Sequence, residues 1–89
     1  MKIIKISAIW CPGCLVMKKV WNKIKEEYPN IDITELDYDM DSNTVSNYNP
    51  GKILPVTIFL DKDDHELDRV IGEVKLEELE RKIQQYEKN

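Results

Sequence analysis

Apolar residues recur along this chain with two different periods. Ile3, Ile4, Ile6 and Ile9 dominate the stretch Lys2 to Ile9, and β-branched side chains at that density suit a largely buried strand. From Leu15 to Tyr28 the spacing changes. Val16, Val20, Ile24 and Tyr28 fall four apart, Met17 and Trp21 lie in the adjacent row, and Lys18, Lys19, Asn22, Lys23 and Lys25 oppose them, which predicts an amphipathic helix. Pro29-Asn30 stops it. Ile31, Ile33 and Leu36 predict a second strand ending near Asp37, and Asp41 or Ser42 is placed to cap a short helix running to about Tyr48. Asn49-Pro50-Gly51 reads as a turn. Pro55 to Leu60 reads as a third strand, and Leu67 to Ile71, closed by Gly72, as a fourth across the charged turn Asp61 to Glu66. Leu76, Leu79, Ile83 and Tyr86 mark a final helix with Glu77, Glu78, Glu80, Arg81 and Lys82 outside. The order is β-α-β-α-β-β-α. Two strands joined through a helix form a parallel pair with a right-handed crossover, and the late hairpin adds an antiparallel edge, so the class is α/β.

Composition narrows this picture. Eighty-nine residues make one domain, and no apolar run approaches the ~20 residues of a membrane helix. A net charge of −4 argues against nucleic acid as the main partner. The charge is also uneven: residues 1–29 carry six Lys and two Glu, and the remainder seven basic and fifteen acidic groups. The N-terminal apolar stretch is broken by Lys5 and has no small-residue cleavage site, which reads as a cytoplasmic start. In reducing surroundings a cysteine pair is catalytic or metal-binding more often than structural.

Cys11-Pro12-Gly13-Cys14 lies where the first strand gives way to the first helix. Unpaired N–H groups and the positive end of the helix dipole stabilise a thiolate there, and such positions lower a cysteine pKa from about 8.5 to as little as ~3.5–7.5. The expectation is an exposed Cys11 that attacks a disulfide, with Cys14 one turn inside to resolve the mixed disulfide. Pro12 suits an early helical position, where its missing N–H costs nothing. The competing possibility is half of a zinc or copper site. Structural zinc wants four ligands, and the remaining chain offers only carboxylates and His65, which stands in a charged turn.

Trp10-Cys11-Pro12-Gly13-Cys14 resembles the Trp-Cys-Gly-Pro-Cys motif of thioredoxins with Pro and Gly exchanged. Ile53-Leu54-Pro55-Val56-Thr57-Ile58-Phe59 resembles that family's segment bearing a cis-proline opposite the dithiol; Val70-Ile71-Gly72 and Tyr48 also correspond. The resemblance implies a thioredoxin-like fold, a four-stranded mixed sheet flanked by three helices, lacking the first strand and helix of full-length members. It further implies Cys11 as nucleophile, Cys14 as resolving thiol, and Trp10, Pro12 and Gly13 around them. Pro55 would shape the substrate groove, and the Leu54 backbone would pair with an extended substrate segment.

Three departures qualify it. The proline of Cys-Pro-x-Cys stands where glutaredoxins and periplasmic thiol oxidases place theirs, and family potentials span about −270 to −120 mV. The Gly-Gly and acidic motif that holds glutathione in glutaredoxins is missing, Gly72-Glu73-Val74 being a poor match. Lys5 replaces the buried aspartate of thioredoxins, and Glu35 replaces its lysine partner, which suggests a charge-reversed pair modulating the thiols. The other possibility is that both point to solvent.

Asp37, Asp39 and Asp41 open like a calcium loop, but Ser42 and Tyr48 stand where that loop needs Gly and Glu, so a solvated loop explains them. Trp21 reads as core and Trp10 as partly exposed. The functional expectation is a monomeric thiol–disulfide oxidoreductase that reduces protein disulfides in the cytoplasm. It would need no bound cofactor and be re-reduced by a reductase of the thioredoxin-reductase kind, with neither nucleic acid nor membrane as partner. The alternatives are a Cu(I) or Zn(II) module, which predicts a strand between Asp41 and Asn49, and a thiol oxidase or isomerase of the same fold.

Overall fold

A computed structural model describes residues 1–87. Its elements are β1 (Lys2–Ser7), α1 (Pro12–Glu27), β2 (Asp32–Asp37), α2 (Ser42–Ser46), β3 (Val56–Leu60), β4 (Glu66–Ile71) and α3 (Leu76–Tyr86). They form one four-stranded mixed sheet in the order β2-β1-β3-β4 flanked by three helices. β1 runs parallel to β2 and antiparallel to β3, and β4 closes the far edge antiparallel to β3. The parallel pair is forced by the α1 crossover. β3, apolar throughout but for Thr57, is buried along its whole length, as befits an inner strand covered on both faces.

Strand alternation divides the core in two. Ile3 and Phe59 pack with Met17, Trp21 and Ile24 of α1 and with Leu79 and Ile83 of α3. Ile4, Ile6, Val56, Ile58 and Leu60 face the other way, where Val45 of α2 covers them. On the α1 face a polar row interrupts the apolar one, because Glu35, Lys5 and Thr57 stand in register across β2, β1 and β3. Thr57 is fully buried, and its Oγ1 has no hydrogen-bond partner among the described residues.

Several element details differ from the sequence expectation. β1 ends at Ser7, and Ile9 lies 88% exposed in the loop that follows, where no neighbouring strand continues. β3 starts at Val56 rather than at Pro55, whose ring lacks the N–H a ladder uses. α1 buries the row Met17, Trp21 and Ile24; Val16 is exposed and Val20 and Tyr28 are half-buried. The Met17–Trp21–Ile24 row faces the sheet, and in the first turn Leu15 and Val16 are left uncovered. α2 stops at Ser46, short of Tyr48. Asp41 occupies its N-cap position but makes no side-chain cap; its carboxylate accepts instead from the Asp37 N–H at 2.8 Å, tightening the loop after β2. Residues 42–46 are helical, so the strand that a metal-handling module required there is not present.

Candidate active site

The two cysteines occupy the N-terminal tip of α1. Cys11 has extended backbone angles and serves as the N-cap, and Pro12 opens the helix. The Cys11 N–H donates to the Ala8 carbonyl at 3.2 Å, turning the chain out of β1. Cys11 Sγ accepts the Cys14 N–H at 3.2 Å, taking the place of the hydroxyl or carboxylate that usually caps a helix. Both thiols are free. The sequence placed Cys11 on the outside; it is 4% exposed, because capping draws its sulfur toward the helix axis. Cys14 is half-buried. Burial pushes the Cys14 thiol up to about 11, helped by its hydrogen bond with Cys11, while a backbone hydrogen bond from Ala8 and the Lys5 charge act in the opposite direction.

Pro55 is buried and follows Leu54 through a cis peptide bond. It faces Gly13, for a Cβ built there would lie 3.3 Å from the Pro55 ring. The Gly72 N–H donates to the Pro55 carbonyl at 2.7 Å, fixing the proline loop to the end of β4. Leu54 is half-buried. Trp10 is 58% exposed, and its indole N–H donates to Asp39 Oδ2 at 2.6 Å while Tyr38 meets the ring edge-on at 6.2 Å. Asp39 is therefore more than a solvated loop residue, since it orients the aromatic beside the dithiol. His65 is exposed, at the opposite turn, with Asp61 and Asp63 beside it.

Lys5 and Glu35 meet: Lys5 Nζ lies 3.2 Å from Glu35 Oε2. The pair is asymmetric, the lysine side chain being 12% exposed and the glutamate 58%. The ammonium also stands 5.0 Å above the Trp21 ring. Burial pulls the Lys5 pKa down, and Glu35 resists that pull. A cleft of about 410 Å³ opens between α1 and the β1–β2 edge, and Lys5, Glu35, Trp21 and Cys14 all line it. Glu73, which sequence reasoning did not single out, follows the end of β4 and packs against the Cys-x-x-Cys turn: its Cγ and Oε2 are 3.2 and 3.4 Å from where a Gly13 Cβ would sit. The only signal for it was its position directly after Gly72.

A proline in cis opposite a two-cysteine helix tip, on a sheet ordered β2-β1-β3-β4, defines the thioredoxin-like class of thiol–disulfide oxidoreductases. Comparison with known proteins agrees: the family described as Thioredoxin matches residues 1–85, and the chain belongs to that family. The thioredoxin of Ophiophagus hannah is 30% identical over 84 residues, covering 94% of this chain and 77% of that protein. Thioredoxin H5 of Oryza sativa is 30% identical over 70 residues, covering 79% of this chain; the match spans only 50% of the rice protein's length. The crystal structure of thioredoxin from Trypanosoma brucei brucei aligns with a TM-score of 0.86 at 26% identity, covering 99% of this chain and 75% of that one. No described helix is long and apolar enough to cross a membrane.

Proposed function

We propose that this protein reduces disulfides of other proteins through Cys11 and Cys14. The observation that carries the reading is the placement of both thiols at the α1 tip, Cys11 as N-cap and Cys14 donating its N–H to Cys11 Sγ. A Cys11 thiolate attacks one sulfur of a substrate disulfide, forming a mixed disulfide and expelling the other sulfur as a thiolate. The Cys14 thiolate then attacks Cys11 Sγ, forming the Cys11–Cys14 disulfide and releasing the second substrate thiolate. The substrate gains two electrons and, in water, two protons; the protein loses the two electrons. A flavoprotein reductase of the thioredoxin-reductase kind restores the dithiol in the cytoplasm, and the chain acts as a monomer.

Because Cys11 is buried, an incoming substrate must close on the small exposed part of this residue or the side chain must turn outward. Trp10, Pro12 and Gly13 border that opening, and the Leu54 backbone ahead of Pro55 offers an edge for an extended substrate segment. Lys5 favours the Cys14 thiolate by its charge, and Glu35 holds the lysine in place. The test is substitution of Cys14 by Ser. The variant should accumulate covalent complexes, cleaved by dithiothreitol, with disulfide-bearing proteins, while the wild type turns over. Absence of such complexes, with wild-type turnover also absent, contradicts the reading.

A further inference from the structure

Glu73 stands against Gly13, the residue between Pro12 and the second cysteine of the motif. Among the described residues it makes no hydrogen bond and no ion pair, and it is exposed. Its carboxylate and the Pro55 ring border the same point above Gly13, so a peptide running along Leu54 and Pro55 toward Cys11 passes the carboxylate. The second acidic group at the rim, Asp39, is occupied by the Trp10 indole. The cations near the dithiol, Lys5, Lys18 and Lys25, line the cleft on the opposite, β2 side. The approach to the dithiol is thus negative where a substrate chain enters.

Resting on the exchange reaction above, we propose that Glu73 is a specificity-determining residue, selecting disulfides whose reacting cysteine is flanked by basic groups and slowing anionic ones. Its free carboxylate, desolvated only when the substrate docks, attracts a cation at the neighbouring substrate position and repels an anion there. The effect is an attraction across the groove, with no bond made or broken at Glu73.

The experiment compares three small disulfides with the reduced protein: dicationic cystamine, dianionic dithiobis(nitrobenzoate) and neutral dithiodipyridine. Each rate is divided by the same variant's rate with the neutral reagent, which removes any general change in thiol reactivity. In Glu73→Gln the cationic-to-anionic preference should fall about fivefold, the product of the roughly twofold attraction of the cation and roughly twofold repulsion of the anion that a unit charge supplies in water at about 8 Å, and in Glu73→Lys it should fall further. High salt should shrink the wild-type preference toward that of Glu73→Gln. Glu77→Gln, which removes an equal charge on α3, should keep the wild-type preference. An unchanged preference in Glu73→Gln, or an equal fall in Glu77→Gln, overturns the selectivity. A wild type inert toward the neutral disulfide overturns the exchange reaction itself, and the selectivity with it.

Discussion

Replacing Lys5 by Met probes how Cys14 finds its reactive form. With its thiol pushed up to about 11, Cys14 is a thiolate in only about one molecule in ten thousand at pH 7. In a mixed disulfide the Cys11 contributions to that rise are lost, but burial, the largest cause, does not depend on them, so the resolving step should remain limited by deprotonation. Its rate should climb about tenfold per pH unit between pH 7 and pH 9. Lys5 lines the same cleft with its side chain 12% exposed, and its charge acts to lower the Cys14 pKa. At the effective dielectric of a protein surface a unit charge across such a cleft is worth at most about 1–2 kcal/mol, and because the Lys5 charge is the smallest of the causes acting on Cys14 the lower end applies. Lys5→Met should therefore slow resolution about fivefold at pH 7 without changing the slope of the pH profile. Dithiobis(nitrobenzoate) separates the steps, since Cys11 attack releases one chromophore and Cys14 attack the second. The second phase should slow and the first should change less. A second phase that is flat from pH 7 to pH 9, or equally fast in Lys5→Met with an unchanged thermal midpoint, refutes this account of the lysine.

Two further predictions concern stability. Thr57 buries a hydroxyl that no described residue satisfies, so Thr57→Val should raise unfolding free energy by about 1 kcal/mol in urea titration; a loss would mean that the hydroxyl is paired. Asp68 ties β4 to α3, accepting from Lys82 Nζ at 2.6 Å and from the Tyr86 hydroxyl at 2.9 Å, and the Lys82 bond holds its carboxyl below the ordinary 3.8. That contribution is complete above about pH 4 and is lost as pH falls through the lowered folded value. Asp68→Asn should cost about 1–2 kcal/mol at pH 7, and less in acid, as thermal melts across pH will register.

What the sequence made legible follows the range of the interactions involved. Cys11, Pro12 and Cys14 lie within a single turn of one local motif, and their place at a strand-to-helix junction follows from periodicity alone. Lys5 and Glu35 became a pair through the register of two parallel strands, which a family resemblance supplied and periodicity could not. The Glu73–Gly13 approach and the Trp10–Asp39 bond join segments far apart in sequence, and nothing local distinguishes these acids from the other carboxylates of an acidic chain. The burial of Cys11 was misjudged for a related reason: a cysteine before a helix can face water or cap the helix, and only the placement of the Cys14 N–H decides. Rows Val16–Val20 and Met17–Trp21 are adjacent on α1, so the sheet's position rather than composition selects the buried one.

The most direct test of the central claim is the reduction potential of the Cys11–Cys14 couple, obtained by equilibrating the protein with thiol–disulfide buffers and counting free thiols. A reductase requires a value near about −270 mV, low enough to donate electrons to protein disulfides; a value near about −120 mV would make the same pair an oxidant and contradict the direction assigned to it.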